Sequence, residues 1–296
     1  MTTLLKFTVT DKDAGRKYCD ILRSELNISA GEKKKMKQNP NSFKVSGTPA
    51  FATARAKVGD VLEIALFDEG CSQTITPKAG EFEIIYEDDF LFVINKPPHT
   101  PTIPSQNHRE DSLGNFLMYE MQKRGENFVF RPVNRLDAHT SGVMLVAKSA
   151  YAHNILVGQI KKGTLNREYL AIATGIIDND GFIDAPIARE EGSAIKRRVD
   201  AGGKFAKTHY RVVKKGDNHT LLALKLETGR THQIRVHLAH IRHPLLGDFL
   251  YGETSPLIDR VALHSALVTF LHPKTKEQMK FEASYPEDFE KALKGL

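Results

Sequence analysis

The stretch Arg131-Pro-Val-Asn-Arg-Leu-Asp-Ala-His-Thr-Ser-Gly-Val-Met-Leu-Val-Ala-Lys148 constrains this chain more than any other. Its apolar run, Val143 to Ala147, is short, rich in aliphatic residues and bounded by turn residues, which predicts a buried strand. The polar turn Thr140-Ser141-Gly142 precedes it, and Arg135 and Asp137 stand just before the turn. Asp137 therefore sits where a loop meets rigid backbone, and a carboxylate held there can be aimed at a substrate. A second reading of the same residues is an aspartate that caps its own turn through its side chain. Spacing alone does not choose between the two.

Elsewhere, apolar runs outnumber helical stripes, and no regular strand-helix-strand rhythm appears. Strand-like segments are Phe82–Tyr86, Leu91–Asn95, Arg167–Thr174, Phe182–Ile187, Lys207–Val213, Thr220–Glu227 and Phe281–Tyr285. Helices are predicted behind the cap Asp111-Ser112, over Ala150–Lys162 and over Pro286–Leu296, while Arg189–Lys204 reads as a polar, basic connection. This mixture predicts an α+β domain with a mixed, largely antiparallel central sheet flanked by helices. Residues 1–75 read as a small separate unit and 76–296 as the main domain, with a linker over Gly70–Gly80. The small unit has a helix over Arg16–Leu26, a basic stretch Gly31–Lys37 and strands at Ser42–Val45 and Asp60–Leu66.

Composition bounds the possibilities. An apolar fraction of 41% in 296 residues is enough for a core,. No stretch is long and apolar enough to span a membrane, and Met1–Phe7 lacks the form of a signal peptide. Two cysteines, Cys19 and Cys71, are too few for a disulfide scaffold, so a reduced cytoplasmic protein is expected, with a monomer as the default. The net charge is +6. Residues 1–80 hold 13 Lys and Arg against 9 Asp and Glu, so much of the excess lies in that quarter and favours an anionic partner,.

A second motif is Leu226-Glu-Thr-Gly-Arg-Thr-His-Gln-Ile-Arg-Val-His237, where a strand ends and a helix begins near Thr231. Ile234, Leu238 and Ile241 share one stripe and are predicted to face inward. His232, His240 and His243 invite a metal reading, but no Cys, Asp or Glu accompanies them and Arg235 and Arg242 flank them. Cations beside a cation site oppose binding, so no metal is expected.

Asn134-Arg-Leu-Asp-Ala-His-Thr-Ser-Gly142 resembles the H-R-L-D-x-x-T-S-G signature of RluA-type RNA pseudouridine synthases, with Asn134 in place of the histidine. Thr228–Arg235 resembles the T-G-R-T-H-Q-I-R segment of that family, and Arg167-Glu-Tyr-Leu-Ala171 its R/K-x-Y-L-A motif. Arg260–Pro273 resembles a further segment, R-x-x-L-H-A…F-x-H-P, with Ser265 for the alanine, and the likeness spans roughly residues 80–285. The family lysine-proline appears as Lys96-Pro97, but the positions that follow differ, with His99 and Ile103 in the places of its glycine and histidine. The order of elements in residues 1–75 resembles an S4 RNA-binding domain, with Ser29-Ala30-Gly31 opening its second helix.

The resemblance implies that uridines within RNA are isomerised to pseudouridine. It implies Asp137 as the catalytic carboxylate, Arg230 as its ion-pair partner, and Tyr169 as the aromatic plane against the base. Arg135, Thr140, Gln233, Arg235 and Leu263 are implied around the substrate, Leu263 as an apolar wall. The uridine is expected to flip out of its stack, with the backbone held by Lys33, Lys34, Lys35, Lys37, Lys196, Arg197 and Arg198, and by Lys161-Lys162 and Lys214-Lys215. No cofactor is expected, and ribosomal RNA is favoured over transfer RNA. Two rivals stand beside this reading. One is a non-catalytic RNA-binding protein that keeps the fold. The other is a nucleoside or glycoside hydrolase, which needs a second carboxylate that only Glu168 offers.

Overall fold

The computed structural model describes residues 2–67, 72 and 74–296. Of the expected linker, Gly70, Cys71 and Gln73 lie outside the described residues. The N-terminal unit runs β1 (Thr2–Thr8), α1 (Tyr18–Ser24), α2 (Ala30–Gln38), β2 (Phe43–Val45), β3 (Thr48–Pro49) and β4 (Val61–Phe67). Its four strands pair in the order β1-β4-β2-β3. Strand β1 was not anticipated from sequence, yet it pairs with β4 over its full length, from Thr2 opposite Phe67 to Thr8 opposite Val61. Its short Thr-rich alternation becomes legible only against β4, whose Leu62 and Ile64 are fully buried,. Helix α1 is shorter than its apolar stripe suggested, because Arg16 is drawn back into an ion pair with Asp13 at 2.7 Å. Helix α2 starts at a capping box in which Ser29 and Glu32 satisfy each other's backbone N–H,.

The main unit continues with β5 (Glu83–Glu87), β6 (Leu91–Lys96), α3 (Leu113–Lys123), β7 (Arg131–Pro132), β8 (Ser141–Ala147), α4 (Ala150–Lys162) and β9 (Asn166–Thr174). Then come β10 (Gly181–Asp184), β11 (Ile187–Arg189), β12 (Arg197–Val199), β13 (Lys207–Lys215) and β14 (His219–Leu226). The chain ends with α5 (Gln233–His240), β15 (Leu263–Leu271), β16 (Gln278–Glu282) and α6 (Glu287–Lys294). Ten strands form one sheet, ordered β10-β13-β14-β9-β15-β8-β6-β5, with β16 on β15 and β7 on β8. Every pairing is antiparallel except β15 with β8. The expected α+β architecture with a mixed, largely antiparallel sheet is therefore the one observed.

All seven residues of β8 are buried, as its continuous apolar run predicts for a strand covered on both faces,. Val143, Leu145 and Ala147 belong to a core cluster that also contains Leu5, Ile21, Leu62 and Ile64 of the N-terminal unit. Met144 and Val146 point the other way, to Leu117 and Met121 of α3 and to Tyr169 and Leu263. The period of two thus divides the strand between two cores.

Two elements depart from the sequence reading. The polar connection over Arg189–Lys204 holds the small hairpin β11–β12, because Ile187 and Ala206 bury against Val236 of α5. Strand β15 lies in the middle of the sheet but was hidden, since His264, Ser265 and Thr269 break its apolar pattern. Two of those polar groups are satisfied within the sheet: Ser265 Oγ donates to the Val143 carbonyl at 2.9 Å, and His264 Nδ1 lies 2.9 Å from Ser141 Oγ,.

The single parallel contact joins the two halves of the sheet through only two register pairs, His264 with Ser141 and Ser265 with Gly142. Gly142 has φ +111°, and a Cβ there would lie 2.2 Å from the Ser265 carbonyl oxygen. Both the dihedral and the space exclude a side chain. Gly142→Ala is expected to cost about 3 kcal/mol or more, from strain plus forced separation of the strands. Urea unfolding at constant slope would measure it, and a loss below about 1 kcal/mol would show that the join tolerates widening.

Candidate active site

The loop Asn134–Thr140 enters β8, and three buried donors from distant parts of the chain fix it. Thr102 Oγ1 donates to the Leu136 carbonyl at 2.8 Å and accepts from the Leu136 N–H at 3.1 Å. Lys96 Nζ donates to the Ala138 carbonyl at 3.1 Å and to those of Pro97 and Thr100 at 2.7 Å. Arg260 Nη1 donates to the His139 carbonyl at 3.0 Å, while its Nε and Nη2 hold Asp288 at 2.6 and 3.0 Å. Asp137 is therefore bracketed by fixed carbonyls on both sides. Its own carbonyl accepts from the Thr140 N–H at 3.1 Å, closing the turn. In Asn134 the side-chain oxygen accepts from the Leu145 N–H at 3.1 Å, tying the loop to β8 where the family histidine would stand.

Lys96 is fully buried at the end of β6. Burial, together with the nearby Arg260 charge, draws its pKa down from 10.5 to about 7, while Asp137 works the other way,. Sequence reasoning placed Lys96 in the family's lysine-proline pair but gave it no role at the site. The available signal was a lysine directly after the apolar run of β6, where a charge is costly unless something holds it.

The Asp137 carboxylate opens into a cavity of about 530 Å³, large enough for a nucleoside,. Tyr169 from β9 and Leu263 from β15 line it, both more than nine-tenths buried. Register explains their meeting with Asp137. Leu263 is opposite Ala171 on β9, and β15 lies beside β8, so the three strands deliver their side chains to one end of the sheet. Arg135, Thr140, Gln233, Arg230 and Arg235 line the same cavity. Asp137 is the only carboxylate among the described lining residues, against Arg135, Lys161, Arg167, Arg230 and Arg235. The cavity thus carries a marked positive excess.

Individual placements differ from the expectations. Arg230 shares the cavity with Asp137 but is not in an ion pair with it. Its Nε donates to the Phe205 carbonyl at 2.9 Å, because it precedes α5 on the side that faces β13. The guanidinium whose charge reaches Asp137 is Arg235, one turn into the helix. Arg235 is buried and held bidentately by Asp248 at 2.8 and 2.6 Å,. His232 Nε2 lies 4.0 Å from Asp137 Oδ1. Gln233 is an organiser of its own backbone: its Oε1 accepts from the Arg230 N–H at 3.0 Å and its Nε2 donates to the Lys207 carbonyl at 3.0 Å. Thr140 is buried, and its hydroxyl has no hydrogen-bond partner. Arg135 is exposed at the rim.

Glu168 pairs with Lys225 at 2.9 Å, and neither it nor Glu227 of the second motif lines the cavity. The hydrolase reading thereby loses its second carboxylate. His232 precedes α5 in left-handed backbone, and His243 Nδ1 lies 2.9 Å from the Thr174 carbonyl. No group of three metal-ligating side chains converges among the described residues.

The remaining basic residues, Lys161 excepted, lie outside the cavity lining. Lys34, Lys35 and Lys37 are exposed on α2 and Lys33 is half-buried. Arg198 on β12 is paired with Asp200 at 2.8 Å, and Lys215 with Asp178 at 2.8 Å. Lys161 alone of that set reaches the cavity wall.

Fold and site together define an enzyme with one carboxylate, Asp137, among the described residues of a cation-lined cleft. The model of the RNA pseudouridylate synthase family matches residues 90–240. An uncharacterized RNA pseudouridine synthase of Bacillus subtilis, YjbO, is 41% identical over 272 residues, covering 92% of this chain and 96% of its own. Ribosomal large subunit pseudouridine synthase D of Pseudomonas aeruginosa is 41% identical over 223 residues, 71% of this chain and 70% of its own. A solved structure, human RNA pseudouridylate synthase domain containing 1, superposes with a TM-score of 0.58 at 26% identity, covering 70% of this chain and 84% of its own. The chain belongs to the RNA pseudouridylate synthase family, in its RluA-type branch. It is an RNA pseudouridine synthase, an isomerase.

Lys96→Met removes the donor to Ala138 and is expected to lower both activity and stability. In wild type, the folded chain releases the Lys96 proton near pH 7 while the unfolded chain keeps it to about 10.4,. Between those values the unfolded state binds more protons, so wild type gains stability relative to the variant as pH rises from about 7 towards 10. Melting curves of both proteins over that range measure the gap, and a gap that narrows with pH contradicts the assignment.

Proposed function

We propose that this enzyme converts specific uridines of large-subunit ribosomal RNA to pseudouridine, with Asp137 acting at the ribose of a flipped-out nucleotide. The observation that carries the reading is the placement of one carboxylate, Asp137, with Tyr169 and Leu263 in a cavity that holds no second acid among its described lining residues. Breaking the bond between uracil N1 and ribose C1′ builds positive character at C1′. A carboxylate beside that carbon stabilises or traps it. The uracil then turns within the cavity and rejoins through C5; the C5 proton leaves to solvent and N1 takes one up, so the product is an isomer of the substrate.

Each wall has a part in this reading. The Tyr169 ring stacks on the base, a contact worth about 1–3 kcal/mol for an aromatic plane against a nucleobase. Leu263 forms the opposite apolar wall, and the freedom of the ring to turn follows from apolar rather than hydrogen-bonded contact. Arg235, locked by Asp248, lends its field to the Asp137 carboxylate. Arg135, at the exposed rim, and Lys161, Arg167 and Arg230 hold the phosphates that flank the target. The chemistry is internal to the substrate, so it calls for no cofactor. The N-terminal unit, read as S4-like, extends the contact through Lys34, Lys35 and Lys37, with Lys33 beside them. The β11–β12 hairpin adds Lys196, Arg197 and Arg198. The ribosomal target is supported by the relatives that carry the name ribosomal large subunit pseudouridine synthase D, and it implies a cytoplasmic site of action.

The test uses total RNA labelled with 5-tritiated uridine from cells that lack this gene, so that the target stays unmodified. Purified protein is expected to release tritium and to restore pseudouridine in large-subunit RNA. Asp137→Asn is expected to release none while binding the RNA within about threefold of wild type, as loss of a group that acts only in the chemical step requires. Turnover by Asp137→Asn like that of wild type would remove the aspartate from the reaction. Restoration in transfer RNA alone would overturn the ribosomal assignment.

A further inference from the structure

We propose that His232, held in one tautomer by Tyr251, positions the Asp137 carboxylate through its Nε2–H. The inference rests on the assignment of Asp137 as the acting carboxylate. Three contacts on one line support it. The Arg197 backbone N–H donates to the Tyr251 hydroxyl at 2.8 Å. That hydroxyl lies 2.9 Å from His232 Nδ1. His232 Nε2 then faces Asp137 Oδ1 at 4.0 Å.

The tautomer follows from donor counting. The Tyr251 oxygen already accepts from Arg197, so its own hydrogen needs an acceptor, and Nδ1 supplies one. Burial holds the Tyr251 pKa above its ordinary value, so the hydroxyl keeps that hydrogen. Burial also lowers the His232 pKa, more than the Asp137 charge raises it, so the ring is neutral. A neutral imidazole that accepts at Nδ1 carries its proton on Nε2, the nitrogen that faces the carboxylate. The 4.0 Å separation is longer than a hydrogen bond, so the Nε2–H acts on the carboxylate as a dipole across a short gap.

The surroundings permit little else. His232 adopts φ +57°, a left-handed backbone that is unusual for a residue with a side chain, and it lies at the N-cap of α5 without a capping hydrogen bond. A strained position that makes no cap has another use for its side chain. Its ring packs edge-on against Tyr251, with centroids 5.7 Å apart. The Tyr251 ring in turn carries the Arg235 guanidinium at 5.1 Å, and Arg235 is locked by Asp248. The line also begins on the basic β11–β12 hairpin at Arg197. RNA that docks on the hairpin therefore presses on the same chain of contacts that ends at the carboxylate.

The experiment separates rate from binding in the full-length protein with the same tritiated RNA. Single-turnover tritium release and RNA affinity are measured for His232→Leu, His232→Gln and Tyr251→Phe, with melting temperatures recorded. His232→Leu is expected to slow the chemical step by about tenfold or more while RNA affinity stays within about threefold. His232→Gln, whose amide N–H reaches the same place, is expected to recover most of that rate. Tyr251→Phe is expected to slow the step severalfold with a folded protein, and it decides the matter if the His232 variants do not fold. A merely structural role would lower stability and affinity without this split and without rescue by Gln. His232→Leu with wild-type single-turnover rate overturns the inference. If Asp137→Asn remains active, the assignment of the carboxylate fails first, and the two failures are told apart.

Discussion

Two strands of this enzyme touch along only two residue pairs, and everything at the active site depends on that contact. β8 and β15 run parallel for the pairs Ser141–His264 and Gly142–Ser265, in a sheet that is otherwise antiparallel. Gly142 permits it, since any Cβ would collide with the Ser265 backbone. The Ser265 hydroxyl and the His264 ring cross the join to Val143 and Ser141. Because β15 also pairs with β9, the join sets Tyr169, Leu263 and the Asp137 loop at one end of three adjacent strands. The small polar residues of the Thr140-Ser141-Gly142 turn are thus the means by which two half-sheets close on a single cleft.

Electrostatics then separates what is fixed from what acts. Lys96, Arg260 and Arg235 are all buried, and a buried charge is tolerated only when it is paired or fully hydrogen-bonded,. Arg260 and Arg235 each have a carboxylate of their own, Asp288 and Asp248, while Lys96 is held by three carbonyls. Each of these cations thus has direct partners other than Asp137. Asp137 is left partly open to the cavity with cations around it and no direct salt link to an arginine. An acid so placed is open to a substrate, whereas one locked bidentately would be poorly placed to meet a carbon atom. The family likeness implied Arg230 as the partner. Its N–H bond to the Phe205 carbonyl shows instead how a residue just ahead of a helix is claimed by the strand beside it.

Much of this was legible in the sequence because the signals were local. The β8 run, the helix cap at Ser112, the α4 boundaries and the inward stripe Ile234–Leu238 all follow from short-range pattern. The motifs carrying Asp137 and Tyr169 followed from residue order. What escaped was set by distant partners. β15 was masked by polar residues whose hydrogen-bond partners lie about 120 positions earlier in the chain, at Ser141 and Val143,. The β11–β12 hairpin is held by Val236, which no window around residues 189–204 contains. The structural roles of Lys96 and Thr102 left no local signal, since the carbonyls they serve, those of Ala138 and Leu136, come tens of residues later. His232 fell among helix histidines in the sequence, although the backbone turns left-handed there and sends its ring to Asp137.

The central claim is geometric: the end of the β9–β15–β8 edge receives one uracil and sets its ribose against Asp137. A structure of the enzyme with bound target RNA tests it most directly. The account predicts a uridine turned out of its strand, its ring against Tyr169 and Leu263, and its C1′ within about 3.5 Å of the Asp137 carboxylate. A uridine bound with its ribose away from Asp137, or RNA that leaves the cavity empty, would contradict it.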